Sequence, residues 1–258
     1  MSQRIALVTG GSRGLGRATA LALAATGVDV ILTYRTGVDE AAQVVAAIEA
    51  QGRRAVALPL ETTDLAALPA FADAVRVVLH DGWGRDTFDL LLNNAGSSGK
   101  TPLGATEADE VQRLFDVHFR SVVMLTQALL PLVADGGRIL NVSTGLTLNL
   151  VNPAYSVYAS MKAAVEVYSR YLAKSLGARG IAVNVLAPGA TATDFGGGLI
   201  RDNPQYRGGI TASTAMGRVG EPDDIGRAAA SILSEGMAWV TGQRIEASGG
   251  QGMGYVAP

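Results

Sequence analysis

The sequence predicts an α/β fold: a single doubly wound domain with a seven-stranded parallel sheet and helices on both faces. Three observations predict it. Seven short runs rich in Val, Ile, Leu and Ala recur along the 258 residues. Stretches of helical periodicity lie between them, the alternation that builds such a sheet. Several runs are continuously apolar rather than alternating, as strands covered on both faces are. No Gly-, Pro- or Ser-rich linker and no internal repeat divides the chain, so residues 1–258 read as one domain.

The expected strands, in order, are Ile5–Thr9, Asp29–Tyr34, Ala55–Leu60, Phe88–Asn93, Gly137–Ser143, Ile181–Ala187 and Gln243–Ala247. Asp29-Val-Ile-Leu-Thr-Tyr34 shows the continuous apolar character most plainly. After it, Ala41, Val44, Val45 and Ile48 fall at helical spacing, and Gln51-Gly52 stops the helix. Val165, Tyr168 and Leu172 repeat that spacing later. The most apolar helical stretch, residues 121–134, is interrupted by Thr126, Gln127 and Pro131 and is too short to span a bilayer.

Composition excludes several classes. The formal net charge is −2, with no clustered basic footprint for nucleic acid. Cys is absent, which removes disulfide and thiolate chemistry. The two histidines, His80 and His118, cannot build an ordinary His-rich metal site, so no metal centre is expected. The start MSQRIALVTGG lacks a signal-peptide pattern. A soluble, cytoplasmic protein is expected, without membrane or nucleic-acid partners. Hydrophobic residues make up 48% and charged residues 17%, so part of the apolar surface is expected to be buried against other subunits.

The first strand runs into Thr9-Gly10-Gly11-Ser12-Arg13-Gly14-Leu15-Gly16 and then a helical pattern. A dinucleotide site requires this placement. Glycine lets the backbone approach a pyrophosphate without a Cβ in the way, and the helix N-terminus offers free N–H groups and partial positive charge. The second strand ends Tyr34-Arg35-Thr36, with no carboxylate for the ribose hydroxyls of NAD. Arg35, with Arg13, instead offers charge-assisted hydrogen bonds to the 2′-phosphate of NADP.

The TGxxxGxG spacing of that loop resembles the short-chain dehydrogenase/reductase family. The resemblance continues in order through Asn93-Asn94-Ala95-Gly96, Tyr158-Ala-Ser-Met-Lys162, Pro188-Gly189 with Thr193, Gly217 to Ile225, and Thr241-Gly242 to Gly249-Gly250. It covers nearly the whole chain, and the nearest type is the NADP-dependent ketoreductase of the 3-oxoacyl-reductase kind. It implies a Rossmann sheet, NADP(H) as cofactor, and reversible hydride transfer between NADPH and a carbonyl or secondary alcohol; ketone reduction is the expected direction because NADPH is usually held reduced in cells. It also implies cofactor contacts from Asn94, Ala95, Gly96, Tyr158, Lys162, Pro188, Gly189, Thr191 and Thr193, and an adenine contact near Glu61-Thr62. A small-molecule substrate and a homotetramer are implied too, with a homodimer as the alternative.

Tyr158 and Lys162, four residues apart, share one helix face. A free phenol has a pKa of about 10. A Lys charge at ~4 Å and an effective dielectric of ~20 is worth about 4 kcal/mol, which would bring the phenol close to neutral pH. Tyr158 is then the proton donor to the substrate oxygen. The fifth strand ends Ser143-Thr144. Thr144 falls at the family's catalytic hydroxyl, and Ser143 is the fallback, although strand alternation turns it the other way. The clearest departure is His118, where the family has Asn, whose backbone carbonyl holds a relay water. The imidazole either joins the relay or packs at a helix interface. Tyr155 and Tyr168 read as packing or substrate-facing. Residues 190–216, with Phe195, Gly196–Gly198, Ile200 and Tyr206, correspond to the family's substrate loop and suit a lid.

Two other functions compete. A catalytically silent NADP(H) sensor would need the loop but not Tyr158, Lys162 and a hydroxyl. A sugar epimerase or dehydratase is commonly longer at its C-terminal end.

Overall fold

The computed structural model describes residues 3–150 and 152–252. Seven strands form one sheet: β1 (Ile5–Val8), β2 (Asp29–Tyr34), β3 (Ala55–Pro59), β4 (Phe88–Asn93), β5 (Val133–Val142), β6 (Ala182–Pro188) and β7 (Arg244–Ala247). Every pairing is parallel, in the order β3-β2-β1-β4-β5-β6-β7, a Rossmann sheet. The helices are α1 (Gly14–Ala25), α2 (Val38–Glu49), α3 (Leu68–Trp83), α4 (Ala108–Phe115), α5 (Ser121–Leu129), α6 (Ser156–Leu176), α7 (Leu199–Asp202), α8 (Pro204–Ala212) and α9 (Pro222–Ile232).

Strand alternation divides the core between two faces. Ala6 and Val8 of β1 join Val30 and Leu32 of β2 under α1, α2 and α9, where Leu23, Val44 and Ile225 are buried. Ile5 and Leu7 point the other way, with Ile31, onto Phe71, Val75 and Leu79 of α3, Leu125 and Leu129 of α5, and Leu176 of α6. Both faces of the central strands are therefore apolar, which is why those strands read as continuous hydrophobic runs.

Two elements differ from the sequence reading. The apolar stretch from Ser121 is not one helix: α5 stops at Leu129, a 3-10 turn carries Pro131, and β5 begins at Val133. Proline cannot donate the hydrogen bond that would continue the helix. The expected substrate loop contains two short helices, α7 and α8; Asn203 caps α8 by accepting from Tyr206 N, with Pro204 at its first position.

Gly226 on α9 lets that helix press on α1, since a Cβ there would lie 2.5 Å from the Ala18 carbonyl oxygen. Gly226→Ala gains up to about 1 kcal/mol of helix propensity but overpacks a rigid backbone at a cost of roughly 1–3 kcal/mol. A net loss of stability is expected, seen as a lower thermal midpoint with unchanged secondary-structure content. A raised midpoint would show that the two helices separate freely.

Successive strands are added outward from β1 to one side as far as β3 and from β4 to the other, so the strand order reverses between β1 and β4, and the crevice beyond their carboxyl ends is where ligands bind in such sheets. The loops after β1 and β4 meet there. Thr9 Oγ1 accepts from Asn94 N (2.9 Å) and Ala95 N (3.0 Å), and Asn94 Nδ2 donates to Thr9 O at 2.9 Å. No helix among the described residues is long and apolar enough to cross a membrane.

Candidate active site

A cleft of about 1060 Å³ opens at that crevice. The glycine loop forms one wall through Gly10, Ser12, Arg13, Gly14 and Leu15. Gly10 and Gly14 have φ of +63° and +54°, a backbone conformation that glycine adopts without steric cost. A Cβ at Gly14 would meet only Thr193, at 3.9 Å across the cleft. Helix α1 starts here with no side-chain cap and no acidic residue in its first turn. Its first N–H groups and positive end are thus offered to an anion, so the cradle fits a pyrophosphate. Gly11 and Gly16, expected as cofactor contacts, do not line the cleft. Their Cβ atoms would lie 2.7 Å from Leu32 Cβ and 2.2 Å from Gly10 O, so they let the loop fold onto β2 and onto itself.

Beyond β2 the cleft is lined by Tyr34, Arg35 and Thr36, and beyond β3 by Glu61 and Thr62. Arg35 faces Glu61 at 3.6 Å, both largely in solvent. Glu61 also accepts from Thr63 N (3.1 Å) and Oγ1 (2.8 Å). Partial burial pushes the Glu61 carboxyl up, but the Thr63 bonds and the Arg35 charge outweigh it and hold it below the usual carboxylate range. Its oxygens are thus turned to Thr63 and Arg35. Arg13 makes no ion pair among the described residues.

After β4, Asn94, Ala95 and Gly96 line the cleft floor. The Asn94 amide spends its donors on the carbonyls of Thr9 (2.9 Å) and Gly10 (3.2 Å), bracing the glycine loop. Below it, Asn93 Nδ2 donates to Asn141 Oδ1 (2.8 Å), whose amide donates to Ser169 Oγ (2.8 Å), tying β4 through β5 to α6. Neither brace was visible in the sequence. The far wall carries Pro188, Gly189, Thr191 and Thr193, held by pairing of the 190–192 backbone with Gly220.

Helix α6 turns Tyr158 and Lys162 into the same cleft, and the end of β5 brings Thr144 beside them. Lys162 is buried, and its Nζ donates to Val142 O at 2.8 Å. Burial lowers its pKa to about 8. Burial also raises the Tyr158 phenol well above its ordinary value, and the adjacent Thr144 hydroxyl pulls the other way. The expectation that Lys162 alone brings the phenol close to neutral pH is not met. The ammonium is tied to a carbonyl, and desolvation of the phenolate outweighs any stabilising neighbour. Thr144 Oγ1 accepts from Leu146 N at 3.3 Å, which leaves its hydrogen free to donate. Ser143 donates its hydroxyl to Glu166 Oε1 at 2.6 Å, away from Tyr158.

His118 sits in a π-turn, residues 116–120, between α4 and α5. Its ring is buried and meets the Tyr158 ring edge-on at 4.9 Å. Nε2 lies 2.7 Å from Ser97 O; a carbonyl only accepts, so Nε2 carries the proton. Nδ1 has no partner among the described residues. Burial, and then the Lys162 charge, lower the His118 pKa to about 3. The imidazole is neutral here. Tyr155 and Phe195 complete an aromatic collar, their rings 6.3 and 6.0 Å from that of Tyr158. Tyr168 instead packs on Phe119, away from this collar.

A family model described as Enoyl-(Acyl carrier protein) reductase matches residues 10–251. The chain is 33% identical to a 3-oxoacyl-[acyl-carrier-protein] reductase of Synechocystis sp. over 98% of each chain. It is 31% identical to the hydroxynaphthalene reductase arp2 of Aspergillus fumigatus, over 94% of this chain and 90% of that one. The crystal structure of the angucycline C-6 ketoreductase LanV with bound NADP superposes with a TM-score of 0.91 at 34% identity, covering 97% of this chain and 96% of that one. With the glycine loop, the Asn94 brace and the Tyr158–Lys162 helix in one cleft, these matches make the chain a member of the short-chain dehydrogenase/reductase family.

Proposed function

We propose that this oxidoreductase reduces a ketone to a secondary alcohol with NADPH, using Tyr158 as proton donor. The observation that carries the reading is the convergence of Tyr158, Lys162 and the Thr144 hydroxyl in the cleft that also holds the glycine loop. NADP(H) is the cofactor, and when bound it supplies the hydride that goes to the carbonyl carbon. Gly10, Ser12, Gly14, Leu15 and the α1 N-terminus take its pyrophosphate, and Arg13 and Arg35 its 2′-phosphate. Thr144 donates a hydrogen bond to the carbonyl oxygen. Tyr158, held protonated by burial, delivers its proton to that oxygen as negative charge develops. Lys162, charged below pH about 8, offers positive charge opposite the phenolate left behind. The low pKa of His118 suits a packing role against Tyr158 rather than proton carriage.

The mouth favours a neutral, ring-bearing ketone over a carrier-bound acyl thioester. Tyr155, Phe195, Ile200, Tyr206 and Ile210 line it, a largely apolar and aromatic wall of the kind that binds flat ligands. Arginines around it are matched by carboxylates: Arg113 with Glu110, Arg201 with Asp194 and Asp202, Arg207 with Glu221. Little free positive charge is left to dock an acidic carrier. Similarity to proteins named for hydroxynaphthalene and angucycline reduction points the same way. Exposed Val167 and Tyr171 on α6, with Trp239, suit contacts between copies in a homotetramer.

NADPH consumption with fused bicyclic aromatic ketones, simple ketoesters and acetoacetyl thioesters, each repeated with NADH, tests the reading. Turnover with NADPH, highest on the bicyclic ketones, is expected. Preference for the thioesters would overturn the substrate class, and no turnover with any carbonyl would overturn the reductase.

A further inference from the structure

Behind the Thr144 hydroxyl lies a polar network whose outer members, Asn149 and Gln251, line the cleft, while Arg244, Glu166 and Glu246 do not. Its centre is Arg244, the first residue of β7. Arg244 Nε donates to Glu166 Oε1 at 3.0 Å, Nη1 to Glu246 Oε2 at 2.9 Å, and Nη2 to Thr147 Oγ1 at 3.1 Å and Thr144 O at 3.3 Å. The same Glu166 oxygen accepts from Ser143 Oγ at 2.6 Å and Thr147 Oγ1 at 2.9 Å. Side chains of Arg244 and Glu166 are 18% and 14% exposed, so these charge-assisted bonds are partly shielded from water and salt.

Placement gives the network its meaning. Glu166 lies four residues after Lys162 and eight after Tyr158, on the same stripe of α6. Ser143, Thr144 and Thr147 belong to the segment that leaves β5 and carries the catalytic hydroxyl. Glu246 Oε1 accepts from Asn149 Nδ2 at 3.2 Å, and that amide also donates to Gln251 O at 3.0 Å. Gln251 Oε1 in turn accepts from Ala190 N at 2.8 Å, in the segment after Pro188-Gly189. One guanidinium thus joins the helix bearing the acid, the loop bearing the hydroxyl and, through Glu246, Asn149 and Gln251, the cleft wall that follows Pro188-Gly189.

We propose that Arg244 is a positioning residue for proton transfer: it anchors the carbonyl of Thr144 and, through Glu166, the loop around it, and so sets the Thr144 hydroxyl against the Tyr158 phenol. The proposal rests on the ketone-reductase reading for its kinetic consequence, but the anchoring itself is independent of turnover. Arg244 touches neither reacting atom; its effect passes through Thr144. The planar fork of four directed bonds is not reproduced by Lys, whose single ammonium can hold Glu166 but not Glu246 and Thr144 O together.

The test compares Arg244→Met, Arg244→Lys, Glu166→Gln, Thr144→Val and the Arg244→Met/Thr144→Val double variant in the full chain. Readouts are kcat, KM for the ketone, NADPH affinity by fluorescence, and amide hydrogen exchange over residues 144–149. Arg244→Met is expected to lower kcat on the order of 10–100-fold, the cost of a small misplacement of a catalytic group, with NADPH affinity nearly unchanged. Arg244→Lys and Glu166→Gln should fall between it and the unaltered protein, and they keep the test alive if Arg244→Met does not fold. In the double variant the loss should be no greater than for Thr144→Val alone, because the arginine acts through that hydroxyl. Multiplying losses, or an unchanged kcat in Arg244→Met, would overturn the proposal. If the unaltered protein reduces no ketone, the reductase reading fails. Hydrogen exchange then decides the anchoring alone: faster exchange at residues 144–149 in the Arg244 variants supports it, and unchanged exchange overturns it.

Discussion

Tyr158→Phe is expected to lower kcat for ketone reduction by about 10²–10⁴-fold, the usual contribution of a positioned general acid, while NADPH affinity stays close to that of the unaltered protein. Phenylalanine keeps the ring that His118 meets edge-on at 4.9 Å and that Tyr155 and Phe195 flank. The collar and the fold should therefore survive. Only the hydroxyl is lost, and with it the proton that the nascent alkoxide needs. Neither neighbour replaces it well. Thr144 is a far weaker acid than a phenol, and Lys162 is committed to Val142 O at 2.8 Å. Single-turnover kinetics beside NADPH fluorescence titration separates the two effects. Equal loss of binding and turnover would assign Tyr158 to cofactor holding instead, and retained turnover would remove it from the mechanism.

The second large effect concerns the cofactor's phosphate. Arg13→Ala/Arg35→Ala is expected to raise the Kd for NADPH on the order of 100-fold and to leave NADH binding little changed. A hydrogen bond to a charged group contributes about 1.5–3 kcal/mol, and each 1.4 kcal/mol is about tenfold in affinity. Two such contacts bound the effect from above, because Arg35 is 65% exposed and screened. Glu61, 3.6 Å from Arg35, competes for that guanidinium, so the single Arg35→Ala variant should lose less than Arg13→Ala. Raising the salt concentration should weaken NADPH and spare NADH for the same reason. Parallel weakening of both nucleotides would mean that these arginines hold the loop rather than read the phosphate.

Much of the fold was legible because its physics is local. The seven strands stand where apolar runs stood, and Gly10 and Gly14, just past the first run, take the left-handed conformations a phosphate loop requires. Ser143 and Thr144, just past the end of β5, both line the cleft, but the Ser143 hydroxyl is taken by Glu166 while that of Thr144 lies beside Tyr158. What sequence reasoning missed lies in long-range contacts. Gly11 and Gly16 were expected as cofactor contacts, and the sequence could not show that their missing Cβ atoms also leave room for Leu32 and the loop's own carbonyl. Nothing in Leu60-Glu61-Thr62 shows that the carboxylate turns to Arg35. The phenol's environment was misjudged because spacing reveals a Lys four residues away but not the burial that opposes its charge. Arg244 and Glu166, 78 residues apart, carry no local signal at all. Glu166 falls on the Tyr158–Lys162 stripe, and that was the one available hint.

The most direct test of the central claim is isotope transfer from NADPH carrying deuterium at the transferable C4 position, incubated with a ketone that the protein turns over. Deuterium bound to the carbinol carbon of the alcohol, in one-to-one ratio with NADPH oxidised, and formed about 10²–10⁴-fold more slowly with Tyr158→Phe, is the predicted result. Alcohol without the label, or tight NADPH binding with no alcohol from any ketone offered, would contradict the account and leave a protein that binds the nucleotide for another purpose.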